Sequence, residues 1–290
     1  MNTPKLLLAM CALLLATPAY VSAQNAPEST LAAPASPSPL SALPSPTRTQ
    51  LRTSTPARVL FVGNSYLYYG DSVHNHVERM AIAAGVITDA DATFKSATIG
   101  GAAIGDHDID HLLTPKSLRV DQPFEVVILQ GGSFEPLSPE GRAGFAQTIA
   151  AFSVKIRQTG AEPVLYMTHA YVVPHLRRRP DMISDIAAMY LEAGNQNDAL
   201  VIPVGLAFEI AYARQPDIQL HKAFDGSHPN LDGTYLAAAT AFASLYGVSP
   251  VGNSYNYFGA VDPETALFLQ TVAQDTVTAF RGSQSRPPAP

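Results

Sequence analysis

Apolar residues along this chain fall into two kinds of run, and the two kinds alternate. Short blocks rich in aliphatic and β-branched residues end in glycine, proline or polar residues: "ARVLFVG" (57–63), "ATFKSATIG" (92–100), "FEVVILQG" (124–131), "EPVLYMTH" (162–169) and "ALVIPV" (199–204). Such blocks predict strands. Between them, apolar positions recur at helical spacing in "SVHNHVERMAIAAG" (72–85), 139–158, "MISDIAAMYLEAGNQ" (182–196) and "GLAFEIAYAR" (205–214). A shorter helix is predicted at "IGDHDIDHLL" (104–113), and two more over 231–246 and 263–280. Strands that alternate with helices imply an α/β fold, with a parallel sheet covered on both faces. Functional groups in such sheets gather where strand carboxyl ends run into loops. Here those loops are Gly63-Asn64-Ser65, Gly100-Gly101, Gln130-Gly131-Gly132-Ser133 and Thr168-His169.

The two ends have a different character. Residues 1–23 carry one basic residue (Lys5), an apolar run and then Val21-Ser22-Ala23, the order of a secretory signal peptide. Residues 24–56 are dominated by Ala, Pro, Ser and Thr and read as a disordered linker, as does the tail 281–290. The folded domain is therefore expected over 57–280, in an exported, periplasmic or extracellular protein with no integral membrane segment after cleavage. Cys11, the single cysteine, lies in the leader, which leaves the domain without a disulfide, a thiolate nucleophile or a cysteine metal site. A net charge of −6 and the absence of a long basic run argue against nucleic acid as a partner. The one basic cluster, Arg177 to Arg179, lies between Pro174 and Pro180 and reads as a solvated loop.

Candidate chemistry begins with a string that occurs twice, "VGNSY", at Val62–Tyr66 and Val251–Tyr255. The first copy continues a predicted strand and leads into a helix. The second follows a helix end, a glycine and a proline, which is a turn context. Ser65 is thus the candidate nucleophile and Ser254 a turn serine. A serine hydroxyl needs a base oriented by a carboxylate, and "FDGSHPN" offers Asp225 and His228 three apart in a tight turn. His107 and His111 are spaced like helix metal ligands, but no third ligand is evident in the sequence, so neither a metal nor an organic cofactor is expected. The Gly-x-Ser-x-Gly signature of α/β-hydrolases is absent.

These residues, in this order, resemble the blocks of the SGNH (GDSL-like) hydrolases. Gly63-Asn64-Ser65 matches the first block, "TIGGAAIGDH" the second, and Asp225-x-x-His228 the last, so the likeness spans the domain. The resemblance implies a three-layer α/β/α sandwich with a flavodoxin-like parallel sheet of about five strands. It also implies ester hydrolysis through a Ser65–His228–Asp225 triad without a cofactor. The oxyanion donors would be the N–H groups of Ser65 and Gly101 and the side chain of Gln130. Two positions depart from the family pattern. Asn64 replaces the usual aspartate, and "ILQGGSFEP" has Gln130 where a Gly-x-Asn-Asp motif is expected. Glutamine resembles some carbohydrate-esterase branches, which with the export signal directs the reading to small acyl groups such as acetyl on a carbohydrate or other polar substrate. Asn64, Tyr66, Gly100, Ser133 and His169 are further candidates for substrate contact. A non-catalytic envelope or carbohydrate-binding domain, and an acyltransferase using the same triad, are the alternatives.

Overall fold

A computed structural model describes residues 44–282; the expected signal peptide, most of the expected linker and nearly all of the expected tail lie outside this range. The strands are β1 (Arg58–Gly63), β2 (Thr93–Thr98), β3 (Val126–Leu129), β4 (Glu162–Tyr166) and β5 (Leu200–Ile202), all parallel in the order β2-β1-β3-β4-β5. This is the flavodoxin-like order, and the chain reverses its direction of travel across the sheet between β1 and β3. The helices are α1 (Ser65–Tyr68), α2 (Val73–Ala83), α3 (Ile109–Leu113), α4 (Pro139–Gln158), α5 (Met182–Gln196), α6 (Val204–Arg214), α7 (Leu231–Tyr246) and α8 (Pro263–Arg281).

Successive strand side chains point to opposite faces, and the core divides accordingly. Val59, Phe61, Val126, Ile128, Val164 and Ile202 pack with α2, α6, α7 and α8. Leu60, Val62, Val127, Leu129, Leu165 and Val201 pack with α3, α4 and α5. Because both faces are covered, the strands read as continuous apolar runs, and each fully buried side chain of this size contributes about 1.5–3 kcal/mol. Helix α7 is buried all round, since α8 covers the side turned away from the sheet. No described helix is long and apolar enough to cross a membrane.

Helix starts follow local capping chemistry. Ser138, Asn230 and Asp262 accept the backbone N–H of Gly141, Gly233 and Glu264, and proline occupies the first turn of α4 and α8. Several boundaries differ from the sequence reading; the helix expected over 104–113, for example, is a 3-10 turn at Ile104–Asp106 followed by α3. Strand β5 stops at Ile202, because Pro203 has no N–H for the ladder and Val204 opens α6. Before α2 comes an additional short helix, α1, followed by a single 3-10 turn at Tyr69–Asp71. The expected linker is also shorter at its far end, because residues 44–56 lie against the domain. There Thr47 donates to Asn195, Arg48 and Arg52 pair with Asp198 at 2.5 and 2.8 Å, and Glu162 accepts the N–H groups of Arg52 and Thr53. Leu51 packs on the core.

Candidate active site

The site lies at the carboxyl end of β1, beside the point where the strand order reverses. Asn64 caps α1: its Oδ1 accepts the N–H of Tyr66 at 3.1 Å, which sets Ser65 at the first helical position. The second copy of the string makes the same local turn, with Asn253 Oδ1 accepting the N–H of Tyr255 at 3.0 Å. The two copies therefore share a backbone motif and differ in surroundings. Ser254 is exposed and has no side-chain hydrogen bond among the described residues, whereas Ser65 faces a histidine.

Ser65 Oγ lies 2.8 Å from His228 Nε2, and His228 Nδ1 lies 2.5 Å from Asp225 Oδ2. A carboxylate can only accept, so Nδ1 carries the proton and Nε2 is left to accept from the serine hydroxyl. The other carboxylate oxygen, Oδ1, accepts the backbone N–H of Ser227 at 2.9 Å and of His228 at 3.1 Å. Partial burial pushes the Asp225 carboxyl up, but the bonds from the His228 ring and these two N–H groups outweigh it and hold the group below its ordinary value. The tight turn depends on Gly226, which has φ +62° and lies so close to the β4–α5 loop that a Cβ would sit 2.3 Å from the Val172 carbonyl oxygen. Val172 N–H donates to Gly226 O at 2.8 Å, joining that loop to the turn.

Several buried groups tie the Ser65 loop to the Asp225–His228 turn. The Tyr66 hydroxyl meets Ser227 Oγ at 2.9 Å, and the Tyr66 ring stacks on His169 at 4.3 Å. His169 Nε2 donates to Ser227 O at 2.8 Å, and Phe208 stacks on its other face at 4.4 Å. Burial, with the neighbouring His221, drives the His169 pKa well below the ordinary histidine value, so it is a neutral ring. His221 is itself lowered to about 4 by burial, against the hydrogen bond that it donates to Ala170 O. Tyr69 stacks on His228 at 4.3 Å.

The structure sorts the expected site residues into those at the mouth and those beneath it. Gly100 and Gly101 are exposed on the loop after β2, with Gly101 at φ +73°, and the N–H groups of Gly101 and Ser65 have no partner among the described residues. Asn64 Nδ2 donates to Ala102 O at 3.1 Å and so links this loop to the segment that carries Ser65. Asn64, Tyr66 and His169 are buried beneath the mouth, where substrate contact had been expected of them, and of their polar side-chain atoms only His169 Nδ1 has no partner among the described residues. Gln130 also departs from expectation. It is completely buried, its Oε1 accepts the N–H of Asn64 at 2.8 Å, and its Nε2 donates to the Gly131 carbonyl. Its amide bonds backbone groups under the Ser65 loop and, being fully buried, is not presented to the mouth. Ser133 is partly exposed and accepts from the Tyr171 hydroxyl at 2.8 Å.

His107 donates from Nε2 to Gly63 O at 2.9 Å, directly beneath Asn64, and among the described residues no cluster of three metal-ligating side chains occurs. No local pattern singles out Ser227 as a support, whereas Gly226 and Pro229 read in the sequence as the residues that hold the turn.

No protein-family model matches the chain, and no curated protein matches it. Solved structures do. A DUF4886 family protein from Bacteroides uniformis ATCC 8492 superposes with TM-score 0.57 at 19% identity, covering 77% of this chain and 95% of that one. A protein from Slackia heliotrinireducens assigned to the SGNH hydrolases gives 0.52 at 24% identity, covering 65% and 98%. The acetyl xylan esterase AlAXEase gives 0.51 at 17% identity, covering 64% and 98%. At these identities the likeness is one of architecture, and it agrees with the parallel five-stranded order of the sheet. This chain has the fold of the SGNH/GDSL hydrolases.

Proposed function

We propose that this protein is an exported serine esterase with Ser65 as nucleophile, His228 as general base and acid, and Asp225 as the carboxylate that orients the ring. The observation that carries the reading is the continuous relay Ser65 Oγ–His228 Nε2 at 2.8 Å and His228 Nδ1–Asp225 Oδ2 at 2.5 Å, at the end of β1. In the reaction, His228 takes the hydroxyl proton as Ser65 Oγ attacks the ester carbonyl. The imidazolium then gives that proton to the leaving alcohol as the carbon–oxygen bond breaks. Water attacks the acyl-enzyme with the same ring as base, releasing the acid and restoring Ser65.

The unpaired N–H groups of Ser65 and Gly101 are the proposed oxyanion donors, and each such donor is worth about 3–4 kcal/mol of barrier. Gln130 acts through Asn64: by accepting its N–H it fixes the segment that carries Ser65. The substrate proposed is a small acyl ester, such as acetyl, on a carbohydrate or other polar molecule. The leader-like first 23 residues and an acetyl xylan esterase among proteins of this architecture support that choice.

Labelling with a fluorophosphonate, together with turnover of p-nitrophenyl acetate, tests the reading. Wild type and Ser254→Ala label and turn over, and Ser65→Ala does neither. Label that survives Ser65→Ala, or an inert wild type, removes the esterase and leaves a binding domain.

A further inference from the structure

Exposed apolar side chains are concentrated around the mouth of this site. Tyr68, Ile99, Phe134, Val173, Leu176 and Phe224 are all exposed, and all lie in segments at the carboxyl end of the sheet. Single exposed hydrophobics are ordinary, but a set gathered on one functional face marks a contact surface. One half of the set borders the acid–base turn. Phe224, 72% exposed, precedes Asp225, and the Val173–Pro174 backbone abuts Gly226 so closely that a Cβ there would lie 2.9 Å from it. Val173 is 68% exposed, and Leu176, three residues on, is 99% exposed.

The unpaired charge on the same loop is positive. Arg179 is tied to Asp181 and Asp185 at the start of α5. Arg177 and Arg178 are exposed and form no ion pair among the described residues. Lys222 lies nearby, its ammonium 5.9 Å from the centre of the Tyr69 ring that stacks on His228. The chain as a whole carries −6, so attraction to an anionic surface has to come from such a local patch. Aliphatic and aromatic tips interleaved with unpaired arginines match the two layers of an anionic bilayer, whose phosphates lie above its acyl boundary.

We propose that the β4–α5 loop, with Phe224, docks the site onto an anionic lipid surface, Val173, Leu176 and Phe224 entering the acyl boundary while Arg177 and Arg178 meet phosphates. The inference deepens the esterase reading by placing its ester on a polar molecule displayed at such a surface, and rests on that reading for the chemistry alone.

Flotation of Ser65→Ala protein with vesicles, which removes turnover, tests the docking by itself. The protein floats with phosphatidylglycerol–phosphatidylcholine vesicles, stays behind with pure phosphatidylcholine, and is released by high salt. Arg177→Gln with Arg178→Gln weakens binding about 30-fold, roughly fivefold for each cation, and Leu176→Ser weakens it about tenfold. In the Ser65 background these variants keep wild-type turnover of soluble p-nitrophenyl acetate, which also shows that they fold. No flotation, equal binding to neutral vesicles, undiminished binding by the variants, or capture by an insoluble acidic polysaccharide in place of vesicles overturns the proposal. Flotation by a protein whose wild type has no esterase activity leaves docking standing and removes the esterase.

Discussion

Replacing Asp225 by asparagine separates the role of its charge from that of its shape. In the native turn Oδ1 accepts two backbone N–H groups, at 2.9 and 3.1 Å, while Oδ2 accepts the His228 ring proton at 2.5 Å. An asparagine carbonyl in the Oδ1 position keeps both backbone bonds, so the turn survives. The amide nitrogen then falls where Oδ2 was, and it can only donate. The ring must therefore accept on Nδ1 and carry its proton on Nε2, aimed at the Ser65 hydroxyl 2.8 Å away. Ser65 loses its base, and the carboxylate that would stabilise the imidazolium is gone. The expected loss in kcat is ~10⁴-fold, about 5 kcal/mol of barrier. Turnover of p-nitrophenyl acetate and the rate of fluorophosphonate labelling measure it, with circular-dichroism melts confirming that the variant folds. A folded Asp225→Asn protein within about tenfold of wild type would refute the assignment of tautomer and base.

Three further outcomes are expected. Gly226→Ala places a Cβ 2.3 Å from a backbone oxygen at φ +62°; left-handed strain of about 1–2 kcal/mol plus that collision lowers the Tm by about 4–8 °C and turnover with it. An unchanged Tm would mean that the close approach is absent. Tyr66→Phe keeps the ring on His169 but leaves the buried Ser227 hydroxyl unpaired, which costs about 1–3 kcal/mol in urea unfolding. Ser65 should still label in that variant, and an unshifted urea midpoint would contradict the brace.

Stability should also fall in mild acid, because burial lowers His74 and His221 to about 4 each. The unfolded chain takes up a proton at each of these near pH 6.5, and the folded protein does so only near pH 4. Stability is therefore full above about pH 6.5 and declines down to about pH 4, by up to about 1.4 kcal/mol per pH unit for each ring. Urea midpoints at about pH 8 and about pH 5 measure the slope, which His221→Gln should flatten in part. Equal midpoints at the two pH values would argue against buried neutral rings.

The proposed nucleophile stood out by its context, not its motif. Ser65 and Ser254 have the same neighbours and the same asparagine turn, yet only the first follows an apolar strand, and only that position comes to face His228. The supports were less legible. Gln130 at the end of β3 resembled a donor for substrate, and its burial beneath Asn64 is a fact of packing that no local pattern encodes. Residues 44–56 looked like linker because composition averages over them, while a few anchors, such as Arg48 on Asp198, hold them in place.

The sequence by itself determined the layering. Continuous apolar runs in the strands and helical spacing between them leave a covered parallel sheet as the arrangement that hides both apolar sets. It also pointed to the serine, the histidine and the aspartate proposed as the triad, because such chemistry depends on residue type and the Asp225–His228 pair is local. Tertiary structure decided what links the distant parts: the order β2-β1-β3-β4-β5, the Tyr66–Ser227–His169 brace, and the union of Ser65 with a turn 163 residues away. Local spacing specifies a turn or a helix face. Which turns meet is fixed only when the two cores close and every buried donor has to find its acceptor.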